Sequence, residues 1–258
     1  ERELFRELME TDQRQGMIHA FFAERQVGKL PELKGVEPRP LAAIGVIGGG
    51  TMGAGIATSA LLSGLNVTML EMSPEAAEAA KGRIAGNLSG ALKRGKISQA
   101  KFEELTEKAL SLTTSYDDLS GVDLVIEAVY EDMEVKKKVF SQLDAVCKPG
   151  AVLASNTSYL NIDEIAAMTK RPGDVIGLHF FSPAHVMKLL EIVVADKTAP
   201  DVTATGFALG KKMGKVSVRA GVCDGFIGNR ILSVYRTCAD HMILDGATPY
   251  QIDAALED

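Results

Sequence analysis

Three glycines at a fixed spacing form the segment best suited to bind a phosphate group. The stretch AAIGVIGGGTMGAGIA joins an apolar run, the motif Gly48-x-Gly50-x-x-Gly53 and a helix-forming run. In such a unit the first glycine permits a tight turn, the second lets a pyrophosphate approach the backbone, and the third lets the helix pack on the strand. The N–H groups at the helix start, at Thr51 and Met52, then face the phosphates. The sequence therefore predicts a dinucleotide site.

An acidic residue refines the choice of dinucleotide. Glu71 closes the next apolar run, 21 residues after Gly50. A carboxylate there can accept both ribose hydroxyls of NAD, and it would repel the 2′-phosphate of NADP by about 1–4 kcal/mol. No arginine follows within the next ten residues to pair with such a phosphate. The strand, glycines, helix, second strand and carboxylate together are far more specific than the glycines alone, and they predict NAD.

Two of the four histidines share the segment HFFSPAHVMKLLE, as His179 and His185. A dehydrogenase that oxidises an alcohol needs a base that titrates near neutral pH, which suits histidine. The nearby Glu191 could fix the tautomer of that base and stabilise its imidazolium. Spacing alone does not choose between the two histidines, although His179 ends a predicted strand. The Ser158 hydroxyl and the Asn229 amide could hold a substrate oxygen.

Alternating strands and helices are expected to position these side chains, because ligands of open α/β sheets bind beyond the carboxyl ends of the strands. Ser158 follows one predicted strand, and Glu131 and Lys136 lie just past another. The predicted strands are Ala43–Ile47, Val67–Glu71, Leu112–Thr114, Leu124–Ala128, Val152–Ser155, Val175–His179, Leu189–Ala195 and Val216–Ala220.

A helical hairpin is predicted between the second and third strands, where a single helix would be usual. Its first helix, Pro74–Ala91, carries Gly82, Gly86 and Gly90 four residues apart on one face, which suggests close packing there. A turn rich in lysine and glycine leads into the second helix, Gln99–Leu110.

Composition shifts divide the chain into three parts. Residues 1–40 comprise one or two helices and the proline-bearing linker LPELKGVEPRP; residues 41–220 carry the strands. Residues 221–258 are helical only, with Asp224 expected as the N-cap of a helix over Phe226–Leu244.

Both ends are expected to be cuts through helices. The chain opens at Glu1 within a helical pattern and stops at Asp258, a few residues into another helix. That helix begins with Thr248 as N-cap, Pro249 at its first position and Gln251 completing a capping box. We therefore expect a segment of a longer protein.

Overall composition argues against several classes of protein, including those that bind nucleic acid or span a membrane. The net charge of −6 argues against nucleic acid, and 46% hydrophobic residues supply a core. Cys147, Cys223 and Cys238 have no metal-binding spacing, and their odd count suggests a reducing compartment. No apolar run approaches the roughly 20 residues of a membrane span.

Five motifs give the chain a family resemblance. IGVIGGGTMGAGIA, VIEAVYED, SNTSYLNI, GLHFFSPAHVMKLLEIV and DGFIGNRIL, in that order across residues 43–232, resemble the L-3-hydroxyacyl-CoA dehydrogenase family. The preceding AFFAER and linker resemble the joint of multifunctional fatty-acid oxidation enzymes, in which an enoyl-CoA hydratase/isomerase domain comes first. The resemblance implies an α/β fold: a Rossmann-type, doubly wound, mostly parallel sheet, with an N-terminal linker helix and the start of a C-terminal all-helical domain.

The resemblance also implies roles for single residues. His179 would be the catalytic base, with Glu191 as its carboxylate partner. Ser158 and Asn229 match positions that contact the reacting oxygen region of the substrate.

Other matched positions lie on the cofactor side. Glu131 and Lys136 match positions near the nicotinamide ribose, and Ser158 is expected to contact the cofactor as well as the substrate. Ser182 departs from the family, many members of which have asparagine in HFFNP. The shorter side chain is expected to weaken a contact there or admit a water, without abolishing catalysis.

The activity implied is NAD-dependent oxidation of (S)-3-hydroxyacyl-CoA to 3-oxoacyl-CoA in β-oxidation. The expected partners are an acyl-CoA substrate, an upstream hydratase domain in the same polypeptide, and a thiolase or a second copy contacting the helical domain. The expected compartment is a bacterial cytoplasm, with the peroxisome as the alternative. Two alternative hypotheses remain. One is a related dehydrogenase that acts on a small hydroxy acid or sugar acid without CoA, and the other is an NAD-binding relative that has lost its catalytic activity.

Overall fold

Short runs of β-branched and aliphatic residues form the strands of an eight-stranded sheet. The computed structural model describes residues 1–257. The strands are β1 (Ala43–Ile47), β2 (Asn66–Leu70), β3 (Leu110–Thr113), β4 (Leu124–Glu127), β5 (Val152–Ser155), β6 (Val175–Phe180), β7 (Leu189–Val194) and β8 (Val216–Gly221).

The sheet order is β3-β2-β1-β4-β5-β6-β7-β8. All neighbouring strands run parallel except β6 and β7, which are antiparallel. The predicted doubly wound, mostly parallel sheet is confirmed. The order reverses between β1 and β4, so the loops that leave these two strands border the crevice in which open α/β sheets bind ligands.

Several of the helices begin at polar caps or at prolines. Side-chain oxygens of Ser73, Asp132 and Asn161 accept backbone N–H groups at three helix starts. The helices are α1 (Arg2–Met9), α2 (Asp12–Gln26), α3 (Thr51–Leu62), α4 (Pro74–Lys93), α5 (Gln99–Glu107), α6 (Met133–Val146), α7 (Ile162–Ala166), α8 (Pro200–Lys212), α9 (Gly228–Leu244) and α10 (Pro249–Glu257).

Apolar side chains fill both faces of the sheet. On one face α3, α4 and α8 contribute residues such as Ile56, Ile84 and Leu209. On the other face α6 and α7 contribute Phe140 and Ile165. Both faces of β4 and β5 are therefore buried, and their functional groups reach solvent only beyond the strand ends.

The predicted helical hairpin is present as α4 and α5, but its glycines do not pack as expected. A Cβ added to Gly82 or Gly86 would meet no atom within 4 Å, and one on Gly90 would meet only the Arg94 side chain. The packed face of α4 is instead the one that carries Ala77, Ala80, Ile84, Leu88 and Ala91. The prediction of close packing at the glycines was wrong, because their common face points outward.

The linker before the sheet is fixed by one arginine. The Arg39 guanidinium bonds Asp201 and Asp174, each at 2.8 Å, and its backbone N–H donates to Thr205 Oγ1. Because Asp201 and Thr205 lie on α8, the linker is tied to the layer that covers β6–β8. The helices α1 and α2 bury no residue.

The last two helices lie outside the sheet. Apolar side chains of α9, including Ile231, Val234 and Leu244, are exposed. The predicted capping box is confirmed, since Thr248 and Gln251 exchange hydrogen bonds at the start of α10. The division into 1–40, 41–220 and 221–258 stays a prediction, and Asp258 lies outside the described residues. Within residues 1–257 we find no helix with the length and apolar character needed to traverse a bilayer.

Candidate active site

The glycine-rich turn after β1 has the geometry that its sequence predicts. Gly48 has φ +88°, and a Cβ there would lie 2.7 Å from the Ala128 carbonyl oxygen at the end of β4. A Cβ on Gly53 would lie 1.7 Å from the Gly48 oxygen, so the third glycine allows α3 to pack against the turn. A Cβ on Gly50 would meet no atom within 4 Å. The second glycine therefore leaves its backbone open to a ligand.

A cavity of about 750 Å³ lies at this turn. Its lining includes Gly48, Gly50, Thr51, Met52 and Glu71. The helix α3 starts at Thr51 without a side-chain cap, and the first N–H groups of a helix have no partner within it. The cavity therefore combines open backbone, free N–H donors and one carboxylate, which suits a pyrophosphate and an adenosine ribose.

The Glu71 carboxylate contacts the glycine turn directly. It lies just past β2 and accepts the Gly49 N–H at 2.6 Å and the Met72 N–H at 3.1 Å. The Arg83 guanidinium donates to the Gly49 carbonyl oxygen at 3.0 Å. Arg83 is twelve positions after Glu71, just beyond the ten residues that contain no arginine.

We expect Glu71→Ala to weaken the preference for NADH over NADPH by about tenfold, the equivalent of roughly 1.4 kcal/mol of lost charge repulsion. The variant removes the carboxylate that would face a 2′-phosphate and leaves Arg83 close by. Titration of both reduced cofactors measures the ratio of dissociation constants. Glu75→Ala, an exposed acid in the first turn of α4, is the matched control. Equal affinity of the unmodified protein for NADPH and NADH would contradict the argument.

His179 and Glu191 form a buried pair across two antiparallel strands. They are directly opposed in the register of β6 and β7, and His179 Nδ1 lies 2.6 Å from Glu191 Oε2. Only 3% of His179 and 1% of Glu191 are exposed. Because an ionised carboxylate can only accept, this contact requires a proton on Nδ1, and a neutral imidazole then has Nε2 as its acceptor. Nε2 lies 3.2 Å from Ser158 Oγ, which can donate to it.

Two aromatic rings flank the imidazole. The Phe181 ring centroid lies 4.5 Å from that of His179, and the Phe226 centroid lies 5.5 Å from it. Phe226 has φ +48°, a left-handed conformation that is costly for a bulky residue. Both rings therefore pack beside the buried imidazole.

The start of α9 is capped by Glu191 and not, as predicted, by Asp224. The helix begins at Gly228, four residues after Asp224, and has no side-chain cap of its own. Glu191 Oε1 accepts the N–H groups of Ile227 at 3.1 Å and Gly228 at 2.8 Å. The left-handed turn at Gly225 and Phe226 moves the helix start to Gly228 and directs these two N–H groups toward the carboxylate. The prediction of Asp224 as the N-cap was therefore wrong.

Asn229 lies in the first turn of α9, next to Gly228 and half-buried. Among the hydrogen bonds of the described residues, none joins its amide to Ser158 or His179. The structure therefore brings Ser158, His179 and Glu191 together and places Asn229 on the adjoining helix.

Glu131 and Lys136 connect the loops that follow β4 and β5. Glu131 Oε1 accepts the Ser158 N–H at 2.8 Å, the Tyr159 N–H at 3.2 Å and the Thr157 hydroxyl. Lys136 is fully buried and lies 3.3 Å from Glu131 Oε2. Burial opposes ionisation of Glu131, but the bonds from Thr157 and Ser158 and the Lys136 charge outweigh it, and they hold the pKa of Glu131 below its ordinary value.

The surroundings of His185 differ from those of His179. Its Nδ1 has no hydrogen-bond partner among residues 1–257. Burial, reinforced by the nearby charges of Lys215 and Arg94, lowers the pKa of His185. No carboxylate among residues 1–257 fixes the tautomer of His185. The geometry therefore favours His179 as the base, a choice that sequence spacing left open.

Two further residues contribute to the site, although the sequence assigned neither of them a role. Glu127, the last residue of β4, is fully buried and lies 2.7 Å from Lys136 Nζ. Asn156 Oδ1 accepts the Phe180 N–H at 2.9 Å and ties the loop after β5 to the end of β6. A polar residue at the end of an otherwise apolar strand was the available signal in both cases.

Comparison with known proteins agrees with this geometry. The family described as 3-hydroxyacyl-CoA dehydrogenase, NAD binding domain, matches residues 43–223. The peroxisomal bifunctional enzyme of Cavia porcellus is 44% identical over 263 residues, covering 100% of this chain and 36% of that protein. The glyoxysomal fatty acid beta-oxidation multifunctional protein MFP-a of Brassica napus is 40% identical over 252 residues, covering 97% of this chain and 35% of that protein.

Solved structures extend the comparison. The crystal structure of (S)-3-hydroxybutyryl-CoA dehydrogenase PaaH1 from Ralstonia eutropha is similar with a TM-score of 0.80 and 35% identity, over 83% of this chain and 75% of that one. The chain spans about a third of the length of the curated relatives named above. Since the family match covers most of the chain and includes the glycine turn, His179 and Glu191, the chain belongs to the 3-hydroxyacyl-CoA dehydrogenase family and carries its NAD-binding domain.

Proposed function

We propose that the protein containing this chain oxidises (S)-3-hydroxyacyl-CoA to 3-oxoacyl-CoA with NAD⁺, as a step of fatty-acid β-oxidation. The observation that carries the proposal is the series of contacts from half-buried Ser158 to the buried pair His179 and Glu191. These residues lie at the edge of the sheet that also carries the glycine turn. A neutral imidazole with one free acceptor nitrogen can remove the proton of an alcohol.

The residues of the glycine turn fit an NAD molecule. The open backbone at Gly50 and the N–H groups of Thr51 and Met52 would hold the pyrophosphate, and Glu71 would receive the adenosine ribose. When bound, NAD⁺ supplies the acceptor for the hydride that leaves C3 of the substrate. Glu71 already bonds the Gly49 N–H, so the carboxylate is held beside the turn before a ligand arrives.

His179 Nε2 would accept the proton of the 3-hydroxyl group. Glu191 keeps the proton of the neutral ring on Nδ1 and stabilises the imidazolium that forms. Burial of the pair strengthens this interaction, since the effective dielectric constant is lower than in water. Phe181 and Phe226 supply apolar neighbours on the sides of the ring.

The remaining predicted residues would orient the reactants. Ser158 can donate to Nε2 or to a substrate oxygen, and Asn229 would approach that oxygen from α9. Glu131 and Lys136 would lie on the side of the nicotinamide ribose, where Glu131 fixes the Ser158 backbone.

The function is tested by the reduction of acetoacetyl-CoA with NADH, which is measured as the loss of NADH absorbance. We expect turnover in the full-length protein and much weaker turnover in the 258-residue chain, which should still bind NADH. Asn229 is carried by a helix whose apolar face is exposed, and a misplacement of about 1 Å can cost roughly 10²-fold in rate. Equal turnover per site in both would show that nothing outside this chain shapes the pocket.

Two outcomes would favour the alternative hypotheses. Turnover of small 3-hydroxy acids but not of acyl-CoA would indicate a dehydrogenase of CoA-free substrates. NADH binding without turnover of any hydroxyacyl substrate in the full-length protein would indicate a non-catalytic relative.

The wider context is proposed from the named relatives. Their bifunctional and multifunctional names support a longer polypeptide, in which residues 1–40 follow a hydratase domain and residues 221–258 begin a helical domain. Contact with a thiolase or with a second copy through that helical domain remains part of the proposal. The peroxisomal and glyoxysomal names favour the peroxisome over the bacterial cytoplasm, and imaging of the tagged full-length protein in its own cells would decide between the two.

A further inference from the structure

A cluster of three charges, two of them buried and the third partly exposed, lies between the glycine turn and His179. It consists of Glu127, Glu131 and Lys136, here called the lysine cluster. Lys136 Nζ lies 2.7 Å from Glu127 Oε1 and 3.3 Å from Glu131 Oε2. Glu127 and Lys136 have no exposed surface. Two carboxylates around one ammonium group give the cluster one net negative formal charge.

The Glu127 carboxylate is fully engaged by its surroundings. In addition to Lys136, Oε1 accepts the Val129 N–H at 2.8 Å and Oε2 accepts the Ser155 hydroxyl at 2.7 Å. Ser155 is the register partner of Glu127 on β5. A buried carboxylate is tolerated when such bonds replace the water that it has lost. Glu127 is therefore fixed by two central strands and presents Oε1 to Lys136 in one position.

The other end of the lysine cluster holds the loop that carries Ser158. Glu131 Oε1 accepts the N–H groups of Ser158 and Tyr159 and the Thr157 hydroxyl. Ser158 Oγ in turn lies 3.2 Å from His179 Nε2. An unbroken series of polar contacts therefore runs from β4 to the imidazole.

We propose that Glu127 is a positioning residue for the reaction, and this rests on the dehydrogenase function proposed above. Glu127 anchors and neutralises Lys136, so that Lys136 orients Glu131 and leaves its Oε1 free to hold the Ser158 loop against His179. Without the Glu127 charge, the buried ammonium has Glu131 as its one carboxylate partner and draws it away from the loop. The position of Ser158 is therefore set from the core of the sheet.

Amide hydrogen exchange in the cofactor-free chain tests this role without relying on activity. In Glu127→Gln we expect the Ser158 and Tyr159 amides to exchange about tenfold faster, as loss of one net hydrogen bond would cause. The amide of Val67 in β2 donates to the Ala109 oxygen, and β1 separates β2 from β4, so this amide should keep its rate. Equal acceleration at β2 and at the loop would show that Glu127 only stabilises the fold, and unchanged exchange at both would also overturn the proposal.

Steady-state kinetics of the full-length protein supply a second readout. Glu127→Gln should lower kcat by about 10- to 100-fold through displacement of the Ser158 loop, while KM for acetoacetyl-CoA stays within about twofold. A change confined to KM would contradict a positioning role. The exchange experiment tests the role of Glu127 without measuring activity. If the unmodified protein were inactive, only the proposed dehydrogenase function would be refuted.

The chain offers a matched control and a milder variant. Asp123, just before β4, forms an ion pair with Lys148 at 2.6 Å at the opposite end of the same strand. Asp123→Asn should change neither the exchange of Ser158 nor kcat. If Glu127→Gln does not fold, Ser155→Ala removes one bond to Glu127. Faster exchange confined to the Ser158 loop would then support the proposal, and uniform or absent acceleration would refute it.

Discussion

Replacing His179 by glutamine is expected to lower kcat of the full-length protein by about 10²–10⁴-fold, the usual contribution of a general base. Glutamine keeps a polar group in the same pocket but cannot accept a proton at the position of Nε2. The affinity for NADH should be nearly unchanged, because the cavity at the glycine turn does not include His179. Initial rates with acetoacetyl-CoA and a separate NADH titration measure the two effects.

The control for this experiment is the neighbouring histidine. His185→Gln makes the same substitution six positions later, where no carboxylate partner is present among the described residues. There burial, together with nearby cations, lowers the pKa of the ring. This variant should keep most of the activity. Loss of turnover in His185→Gln together with survival of turnover in His179→Gln would transfer the role of base to His185.

Glu191→Gln is expected to cost a comparable factor, about 10²–10⁴-fold in kcat, because the two residues act as a unit. An amide facing Nδ1 can donate to it, which favours the tautomer that carries its proton on Nε2. That tautomer cannot accept a proton from the substrate. The glutamine amide would also cap α9 less effectively, since the N–H groups of Ile227 and Gly228 lose a charged acceptor.

A surface glutamate serves as the comparison for Glu191. Glu32 pairs with Arg219 at 2.7 Å, and both side chains are largely exposed. Glu32→Gln removes a charge at the edge strand β8 and should leave kcat unchanged, as surface pairs contribute little. Turnover of Glu191→Gln equal to that of the unmodified protein would contradict the assignment of tautomer and base.

The dinucleotide half of the molecule could be predicted from sequence because its determinants are local. A left-handed turn at Gly48, close packing at Gly53 and open backbone at Gly50 each follow from the absence of a Cβ. Strand positions were also predictable, with errors of one or two residues where a strand met a turn. β3, for example, begins at Leu110 and not at Leu112.

The pairing of His179 with Glu191 depends on a register that spacing does not encode. The two residues are twelve positions apart, and only the antiparallel return of β7 places them opposite each other. The same limit applies to Lys136, whose side chain turns inward to Glu127 although a run of three lysines is typical of a solvated helix face. The capping of α9 by Glu191 likewise joins residues 36 and 37 positions apart. No local pattern predicts such a contact.

The double engagement of Glu191 has a consequence for how such enzymes can be recombined. One oxygen serves His179 on the sheet, and the other receives Ile227 and Gly228, which lie beyond residue 223, where the family match ends. The family domain therefore ends before the last residues that bond the Glu191 carboxylate. A chimera joined at residue 223 would inherit the histidine and its carboxylate but take two of the hydrogen-bond donors of that carboxylate from another parent. Exchange of the helical part thus changes the environment of the base even when every residue on the sheet is kept.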